Sequence, residues 1–377
     1  MSQLTLLNQL SIIRDPRQPR KVHHNLVDVL FLAITAVISG CEGWEEIEDF
    51  GNDKLDWLKK YLPFSGGIPT DDTISRIFQL IDPNEFQKCF ARWMKSCCEM
   101  THGDVIAIDG KTLKGSFKKQ NKTDTIHMVS AFAAANSVVL GQVKTSEKSN
   151  EITAIPKLLD LLDIRGCLVT IDAMGCQTKI AKKIVDKGGD YLLPVKGNQK
   201  KLQSALDGIF SIHRLEDKET EAYSTSEKGH GREEVRHCMV ANASEIGDLV
   251  FEWAGLKTLG YVVSFRTEKG KETTAAVKFY ISSADLDAKA LLNASRAHWS
   301  VENNLHWQLD VSMNEDACRI RQRNSTENLA TVRHTSLNLL KSEKSFEGGI
   351  KRKHKQANRS DSYREQVISG LYLLYVN

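Results

Sequence analysis

Apolar positions recur at helical spacing through the N-terminal part of the chain. The segments with this spacing are LVDVLFLAITAVISG, GWEEIEDFGNDKLDWLKKYL and DPNEFQKCFARWMKSCCEM. The last of them begins with aspartate and proline, a common start of a helix. A shorter helix is predicted in IPTDDTISRIFQLI, where Thr70 or Asp71 caps the first turn. We therefore predict a helical N-terminal domain over residues 1–102, which suits a DNA-binding domain and other helical bundles equally.

From Asp104 onward, short runs of strand-forming residues alternate with amphipathic segments. The predicted strands lie in DVIAID, IHMVSAFAAA, VVLGQVKT, CLVTIDA and DYLLPVKGN. The predicted helices lie in EITAIPKLLDLLD, after the third strand, and in QTKIAKKIVDKGG, after the fourth. Residues 103–205 therefore have the predicted order β-β-β-α-β-α-β.

The pattern then changes twice more along the chain. Residues 206–285 are polar and rich in charge, which is typical of antiparallel strands with exposed faces, and we interpret them as a mainly β insertion. Residues 286–345 return to a helical pattern in AKALLNASRAHWSVENNLHWQLDV and NSTENLATVRHTSLNLLKSE. Residues 346–377 are predicted to form a loose basic tail followed by a short helix.

Composition narrows the class of protein. The 377 residues are 41% hydrophobic and 26% charged, as in soluble globular proteins. The N-terminal apolar run contains Asp28 and is too short and amphipathic to span a membrane, and the opening residues lack the features of a secretory signal. We therefore expect a cytoplasmic protein with no membrane partner. The eight cysteines form no Cys-x-x-Cys pair and no zinc spacing with histidine, which predicts reduced thiols.

The charge of the chain gives a weaker indication of its partners. A formal net charge of +3 is too small to indicate nucleic-acid binding by itself. Basic residues are nevertheless clustered in DPRQPRKVHH, RIRQR and KRKHK. Each cluster, taken alone, is more typical of a solvated surface than of a DNA site.

Acidic residues stand at three positions that call for a chemical explanation. Asp109 and Asp172 each follow a predicted buried strand, so two carboxylates occupy matching places. Glu302 lies on the predicted helix after Lys289, and at about 100° per residue it falls on an apolar stripe. That stripe contains Leu291, Ala294, Ser295, His298, Leu305 and Leu309. A buried carboxylate must be paired, protonated or bound to a cation, and His298 is the nearest ordinary partner.

The order of the predicted elements is that of an α/β protein with a ribonuclease-H-like core, a mixed five-stranded sheet with helices. In that fold the first strand is central and the fourth lies beside it, so Asp109 and Asp172 converge and a packed helix brings Glu302 over them. Three adjacent carboxylates repel one another unless a divalent cation is present. Oxygen ligands favour Mg²⁺ or Mn²⁺, and two ions about 4 Å apart activate water and stabilise the leaving oxygen in phosphodiester cleavage.

Several motifs extend this interpretation over nearly the whole chain. They are AIDGKTLKGS, TIDAMGCQ, YLLPVKGNQ, HGREEVR and HWSVENNLHWQLDVSMNEDACRIR. With them the chain resembles the H-repeat-associated transposases found with Rhs elements, within the wider class of DDE transposases. The resemblance implies a DNA-cleaving and DNA-joining enzyme whose catalytic and metal-binding acids are Asp109, Asp172 and Glu302. It also implies double-stranded DNA as the partner, with short inverted repeats at the element ends and a homodimer on DNA.

One motif departs from the wider class. Many members carry Tyr, Arg, Glu and Lys where this chain has Ser295, His298, Glu302 and Leu309. The groups that contact DNA phosphates are therefore expected at other positions, near the strand ends and in the basic loop after the Glu302 helix. The candidates are Lys111, Lys114, Lys196, Asn198, His298, Arg319, Arg321 and Arg323.

Three other functions fit the residues to different degrees. A phosphotransferase of the haloacid dehalogenase type needs a nucleophilic aspartate where this chain has Ala107. A nucleotide-binding P-loop needs Gly-x4-Gly-Lys-Ser/Thr, which the sequence lacks. A DNA-binding relative that has lost transposition remains an alternative, although the presence of all three acids argues against the loss of metal binding.

Overall fold

The computed structural model describes residues 6–98, 100–113, 126–145, 151–215, 222–229, 231–268 and 272–369. The helices predicted in the N-terminal part are present, with α5 capped by the Thr70 side chain and α6 by that of Asp82. The bounds of the predicted helices are α2 Leu26–Ile38, α3 Trp44–Asp53 and α4 Leu55–Leu58, which divide one predicted segment, α5 Asp71–Leu80 and α6 Pro83–Cys97. A further short helix, α1 Leu6–Leu10, was not predicted.

The five strands predicted next are also present. They are β1 Val105–Thr112, β2 His127–Ala133, β3 Val138–Lys144, β4 Leu168–Ile171 and β5 Asp190–Val195. Helix α7, Glu151–Leu161, follows β3, and helix α8, Thr178–Asp186, follows β4. Strands β1, β4 and β5 are parallel to one another, while β2 and β3 add to β1 as an antiparallel meander.

The polar region that follows extends the same sheet. Helix α9, Lys200–Leu215, comes first, and the predicted change at residue 206 falls inside it. The next strands are β6 Ala222–Gly229, β7 Arg232–Asn242, β8 Thr258–Glu268 and β9 Thr274–Ser282. Strand β9 pairs antiparallel with β5, which gives one nine-stranded sheet in the order β3-β2-β1-β4-β5-β9-β8-β7-β6.

The C-terminal part is helical. It contains α10 Ala288–His298, a π-helical turn Glu302–His306, α11 Trp307–Val311, a 3₁₀ turn Glu315–Ala317, α12 Ser325–Ser342, α13 Ile350–Arg359 and α14 Asp361–Ser369. The expectation of a loose tail after residue 346 is wrong for α13, while α14 overlaps the short helix that was predicted to follow the tail. Helix α13 buries Ile350 and Ala357, and α14 buries the whole Arg364 side chain.

Alternate residues of the strands face two hydrophobic layers. On one face, Leu168 and Leu192 pack against Leu291 and Leu292 of α10. On the other face, residues such as Val169 belong to a larger core that also includes the N-terminal helices and α12. Helix α12 contacts α2, α5, α6 and β3, so the N-terminal helices and the sheet share one core. Within the part of the chain that the structure describes, no helix is long and apolar enough to cross a membrane.

Candidate active site

Pairing of β1 with β4 brings the two predicted aspartates together. Ile108 is paired with Ile171 in the parallel register, so Asp109 and Asp172 are the next residue on each strand. Asp172 leaves β4 and caps the following 3₁₀ turn, where its Oδ1 accepts a hydrogen bond from the Gly175 amide at 3.1 Å. The parallel pairing therefore places both carboxylates at its carboxyl-terminal end, next to each other.

Strand β1 does not end at its acid, contrary to the expectation from the sequence. It continues to Thr112, and Asp109 is opposite Ser130 of β2 in the antiparallel register. Only the pairing with β4 stops at Ile108. The apolar run therefore ends where the pairing with β4 ends, while the pairing with β2 continues to Thr112.

Glu302 comes to the same place from the helix that packs across the sheet. Helix α10 contacts β1, β4 and β5, and the π-helical turn that begins at Glu302 follows it closely. Leu305 and Leu309 of the predicted stripe are buried, but Glu302 itself is exposed, so its expected burial is wrong. The π turn interrupts the helical period, and π turns occur often at functional sites.

A single pocket contains all three predicted acids. Its walls are formed by Asp109, Thr170, Ile171, Asp172, Ala173, Leu192, Pro194, Lys196, Lys278, Tyr280, Ser295, His298, Trp299 and Glu302. The acids come from β1, the end of β4 and the π turn, and the other walls come from β5, β9 and α10. The sheet and the helix crossing it thus gather acidic and basic groups that are far apart in sequence.

A fourth acid, which the sequence interpretation missed, lies beside Asp109. The pKa of Asp109 is raised to about 7, mainly by burial and in addition by the carboxylates of Glu151, Asp172 and Glu302, against the opposing effect of the Gly110 amide hydrogen bond. A Cβ on Gly110 would overlap the Glu151 carboxylate, so the glycine leaves room for this acid. Glu151 begins α7, and nothing in its local sequence indicates that it faces β1.

Two histidines flank the acids. His298 Nδ1 lies 3.1 Å from Thr170 Oγ1 and makes that hydrogen bond instead of the expected one with Glu302. His306 Nδ1 lies 3.6 Å from Asp109 Oδ2, and its buried Nε2 has no hydrogen-bond partner among the described residues. Burial lowers the pKa of each histidine to about 4, so both imidazoles are neutral at neutral pH.

Two lysines supply positive charge to the pocket. Lys196, a phosphate contact predicted from the sequence, follows β5, is exposed and lies on the wall of the pocket. Lys278, on β9, was not predicted, and its ammonium lies 4.6 Å from the centre of the Trp299 ring. Burial lowers the pKa of Lys278, and the charge of Lys196 lowers it further. One lysine in a polar strand gives no sequence signal, because pairing of β9 with β5 is what places it here.

The other predicted DNA contacts have varied positions. Lys111 is buried against two carboxylates, so its ammonium does not face a phosphate, which corrects the expectation. Asn198 donates to the Ala173 carbonyl at 2.8 Å and so supports the turn after Asp172. Lys114 lies outside the described residues. The three predicted arginines lie in the loop before α12 and do not line the pocket. Arg319 and Arg323 are exposed, and Arg321 is partly buried.

The donor chemistry of the pocket fits a divalent cation. Asp109, Asp172, Glu302 and Glu151 offer only oxygen ligands, which favour hard cations. Burial and the repulsion between these acids raise the pKa of Asp109, and a bound cation relieves such repulsion. Among the described residues, however, no three Asp, Glu, His or Cys side chains are close enough together to form a ready ligand set. Asp109, Asp172 and Glu302 line the pocket without converging on one point, and Glu151 lies beside Asp109.

Comparison with known proteins gives consistent matches. The family described as a transposase DDE domain matches residues 101–339, and the family described as DDE_Tnp_1-associated matches residues 7–94. "Putative transposase YncI" of Escherichia coli O157:H7 is 51% identical over 373 residues, covering 98% of this chain and 96% of the relative. "H repeat-associated putative transposase YhhI" of Escherichia coli (strain K12) is 50% identical over 369 residues, covering 97% and 98%.

Among solved structures, a chain from a cryo-EM structure of a piggyBac transposase synaptic complex with hairpin DNA covers 98% of this chain. The match covers 78% of that chain, with a TM-score of 0.43 and 12% identity.

Proposed function

This chain belongs to the transposase DDE domain family, with H repeat-associated relatives, and from that premise we propose that it binds DNA and cleaves and joins phosphodiester bonds. The catalytic residues of the proposal are Asp109, Asp172 and Glu302, which also hold Mg²⁺ or Mn²⁺, two ions in all. The observation that carries the proposal is that these three acids, from three separate elements, line one pocket. The strand order β3-β2-β1-β4-β5 supports a ribonuclease-H-like core with β6–β9 as its insertion.

The basic residues of the pocket suit a phosphodiester substrate. Lys196 and Lys278 lie on the walls of a pocket that also contains the acids, and two ammonium groups attract a phosphate. His298 is neutral and hydrogen-bonded to Thr170, which keeps the imidazole in one orientation beside Asp172. When bound, divalent ions lower the pKa of water and stabilise the leaving oxygen. In the proposal the protein holds the phosphate with lysines and the ions with carboxylates.

The DNA partner of the proposal is double-stranded, with inverted repeats at the element ends and two protein copies on two ends. The exposed basic residues of the segment before α2, among them Arg14, Arg20 and Lys21, are proposed to contact the flanking phosphates. Arg17 is excluded from that role, because its guanidinium is paired with Asp15 and donates to the His24 carbonyl.

The test is a cleavage assay with Mg²⁺ or Mn²⁺ on DNA carrying the repeats that flank the gene. Asp109→Asn, Asp172→Asn and Glu302→Gln are each expected to abolish nicking while DNA binding is retained. Asp160→Asn is the matched control, since this exposed acid pairs with Lys183 away from the pocket. Binding without cleavage by the wild-type protein would favour the alternative, a relative that acts only as a DNA-binding protein.

A further inference from the structure

A buried lysine lies two residues after the first acid of the site. The Lys111 side chain is only 9% exposed, and its ammonium donates to Glu315 Oε2 at 2.6 Å and to Asp310 Oδ1. Glu315 is 3% exposed and also lies 3.9 Å from the guanidinium of Arg333 on α12. Two cations and two carboxylates from four separate segments thus form one cluster, which we call the Lys111 cluster.

The charges of the Lys111 cluster are stable only as a set. Burying a charge without a partner costs several kcal/mol. The Lys111 ammonium is buried, and the carboxylates of Glu315 and Asp310 balance its charge. Burial would raise the pKa of Glu315, but Lys111 and Arg333 hold it below its usual value. Nearby His334 has a pKa lowered to about 4 by burial and adds no charge at neutral pH.

The cluster joins the two elements that carry opposite walls of the acid pocket. Side chains at positions i and i+2 of a strand point to the same side, so Lys111 follows Asp109 on one face of β1. Asp310 lies on α11, which continues directly from the π turn that begins at Glu302. The Lys111–Asp310 ion pair therefore connects the strand of one catalytic acid to the helix of another.

The Glu302 side chain makes few contacts that would fix its position. It is exposed, and among the described residues its carboxylate has no hydrogen-bond or ion-pair partner. The π turn that contains it departs from regular helical geometry. Its position relative to Asp109 is thus set by contacts on either side of the turn, and the Lys111 cluster is the charged contact on the C-terminal side.

We propose that Lys111 is a positioning residue that fixes the Glu302 helix against the Asp109 strand and so sets the spacing of the acids around the ions. This inference rests on the proposed function, and it gives Lys111 a role other than phosphate binding. The partners Asp310 and Glu315 share that role, and neither lines the pocket.

Asp310→Ala is the most informative variant. The Asp310 side chain is 31% exposed, so its removal breaks the link to α11 while Lys111 keeps Glu315 as its partner. Lys111→Met would instead leave Glu315 buried with only the more distant Arg333, and that protein can fail to fold. Asp186→Ala is the control, because it removes an ion pair with Lys182 on the surface of α8.

Two measurements on folded protein test the proposal. In metal-free Asp310→Ala, amide hydrogen exchange over residues 300–311 is expected to be faster than in wild type while exchange in β7 and β8 is unchanged. Mn²⁺ affinity, measured by electron paramagnetic resonance, is expected to fall about 10-fold or more, as for other groups that orient metal ligands. The control Asp186→Ala should leave both quantities at the wild-type values.

The outcomes separate the two proposals. Wild-type exchange over residues 300–311 in Asp310→Ala would overturn the positioning role, whatever the metal result. Wild-type Mn²⁺ affinity in a variant with faster exchange would also overturn it, because the helix would then move without affecting the acids. Failure of the wild-type protein to bind Mn²⁺ would count against the proposed function, while the exchange measurement would still decide whether the cluster holds the helix.

Discussion

At the scale of single residues, neighbouring carboxylates at the pocket repel one another. Three further carboxylates, those of Glu151, Asp172 and Glu302, act on Asp109, whose pKa is raised to about 7 by burial and by these acids. A fold optimised for stability alone would neutralise one of them, so their presence indicates a function that uses negative charge. The acids therefore contribute unfavourably to the stability of the metal-free protein, and this contribution can be measured.

Asp109→Asn is expected to stabilise the metal-free protein at alkaline pH while abolishing cleavage. Because folding raises the pKa of Asp109, the folded state pays no ionisation penalty below the unfolded pKa of roughly 4. The penalty grows as the pH rises and is complete above about 7. Thermal unfolding should show a higher melting temperature for the variant at pH 8, with a difference that shrinks towards pH 4. Equal melting temperatures at pH 8 would show that the ionised Asp109 carboxylate does not destabilise the metal-free protein.

Lys278→Met tests whether the unpredicted lysine holds substrate. Removal of one charge-assisted hydrogen bond, roughly 1.5–3 kcal/mol, is expected to lower kcat/KM for DNA cleavage about 10-fold or more. Mn²⁺ affinity should not fall, because the ammonium is not a metal ligand. Lys228→Met is the control, since Lys228 is exposed on β6 and pairs with Glu233. Unchanged cleavage by Lys278→Met would assign this lysine to packing on Trp299.

Gly110→Ala tests the position of Glu151. The added methyl group would overlap the Glu151 carboxylate, so either the acid or β1 must shift. We expect Mn²⁺ affinity and cleavage to fall together, with the protein still folded by circular dichroism. Gly208→Ala is the matched control, because nothing lies within 4 Å of its added Cβ. Wild-type Mn²⁺ affinity in Gly110→Ala would show that metal binding does not depend on the position of Glu151 beside Asp109.

At the scale of elements, local patterns predicted what depends on neighbours in sequence. The apolar runs before Asp109 and Asp172 located β1 and β4, and the strand order brought both acids to one pocket. The same patterns gave no sign of Glu151 or Lys278, because their proximity depends on how α7 and β9 pack. The helical wheel placed Glu302 among buried residues, since a regular period cannot include the π turn.

The C-terminal helices show the same limit. KRKHK looks like a solvated run, yet Lys353 and His354 are buried, and Lys353 donates to the Leu340 carbonyl at 2.8 Å. Arg364 on α14 lies over the rings of Phe50 and Trp57. A run of charges has no apolar periodicity, so the sequence pattern could not predict that α13 and α14 pack against the core.

Arg364→Ala should therefore destabilise the whole protein. The side chain is fully buried and donates to Ser39 Oγ at 3.1 Å and to Asp361 Oδ1 at 2.8 Å. Its truncation is expected to cost about 2–4 kcal/mol, like other large-to-small changes in a core. Arg359→Ala, an exposed residue at the end of α13, should change stability by less than about 0.5 kcal/mol. Urea unfolding distinguishes the two, and equal values would mean that α14 is not part of the core.

At the scale of the whole molecule, the shared core limits how DNA recognition can be tested. Helices α2 and α6 pack against α12, and α6 also packs against β3. Removing residues 1–102 would expose that core, so loss of DNA binding by such a truncated protein would not show where DNA binds. Substitution of exposed basic residues leaves the core intact and gives the cleaner experiment.

The triple variant Arg14→Gln, Arg20→Gln and Lys21→Gln is expected to bind element-end DNA more weakly than wild type. All three residues are exposed, and the slope of log K against log salt should decrease by about 0.9 for each phosphate that is no longer neutralised. A control variant removes the same charge through Lys88→Gln, Arg92→Gln and Lys179→Gln. These residues are also exposed, but they lie on α6 and α8. Fluorescence anisotropy titrations at several salt concentrations compare the two proteins. If both triple variants lose affinity and slope equally, the N-terminal segment contributes only net charge, and the specific contacts lie on another surface.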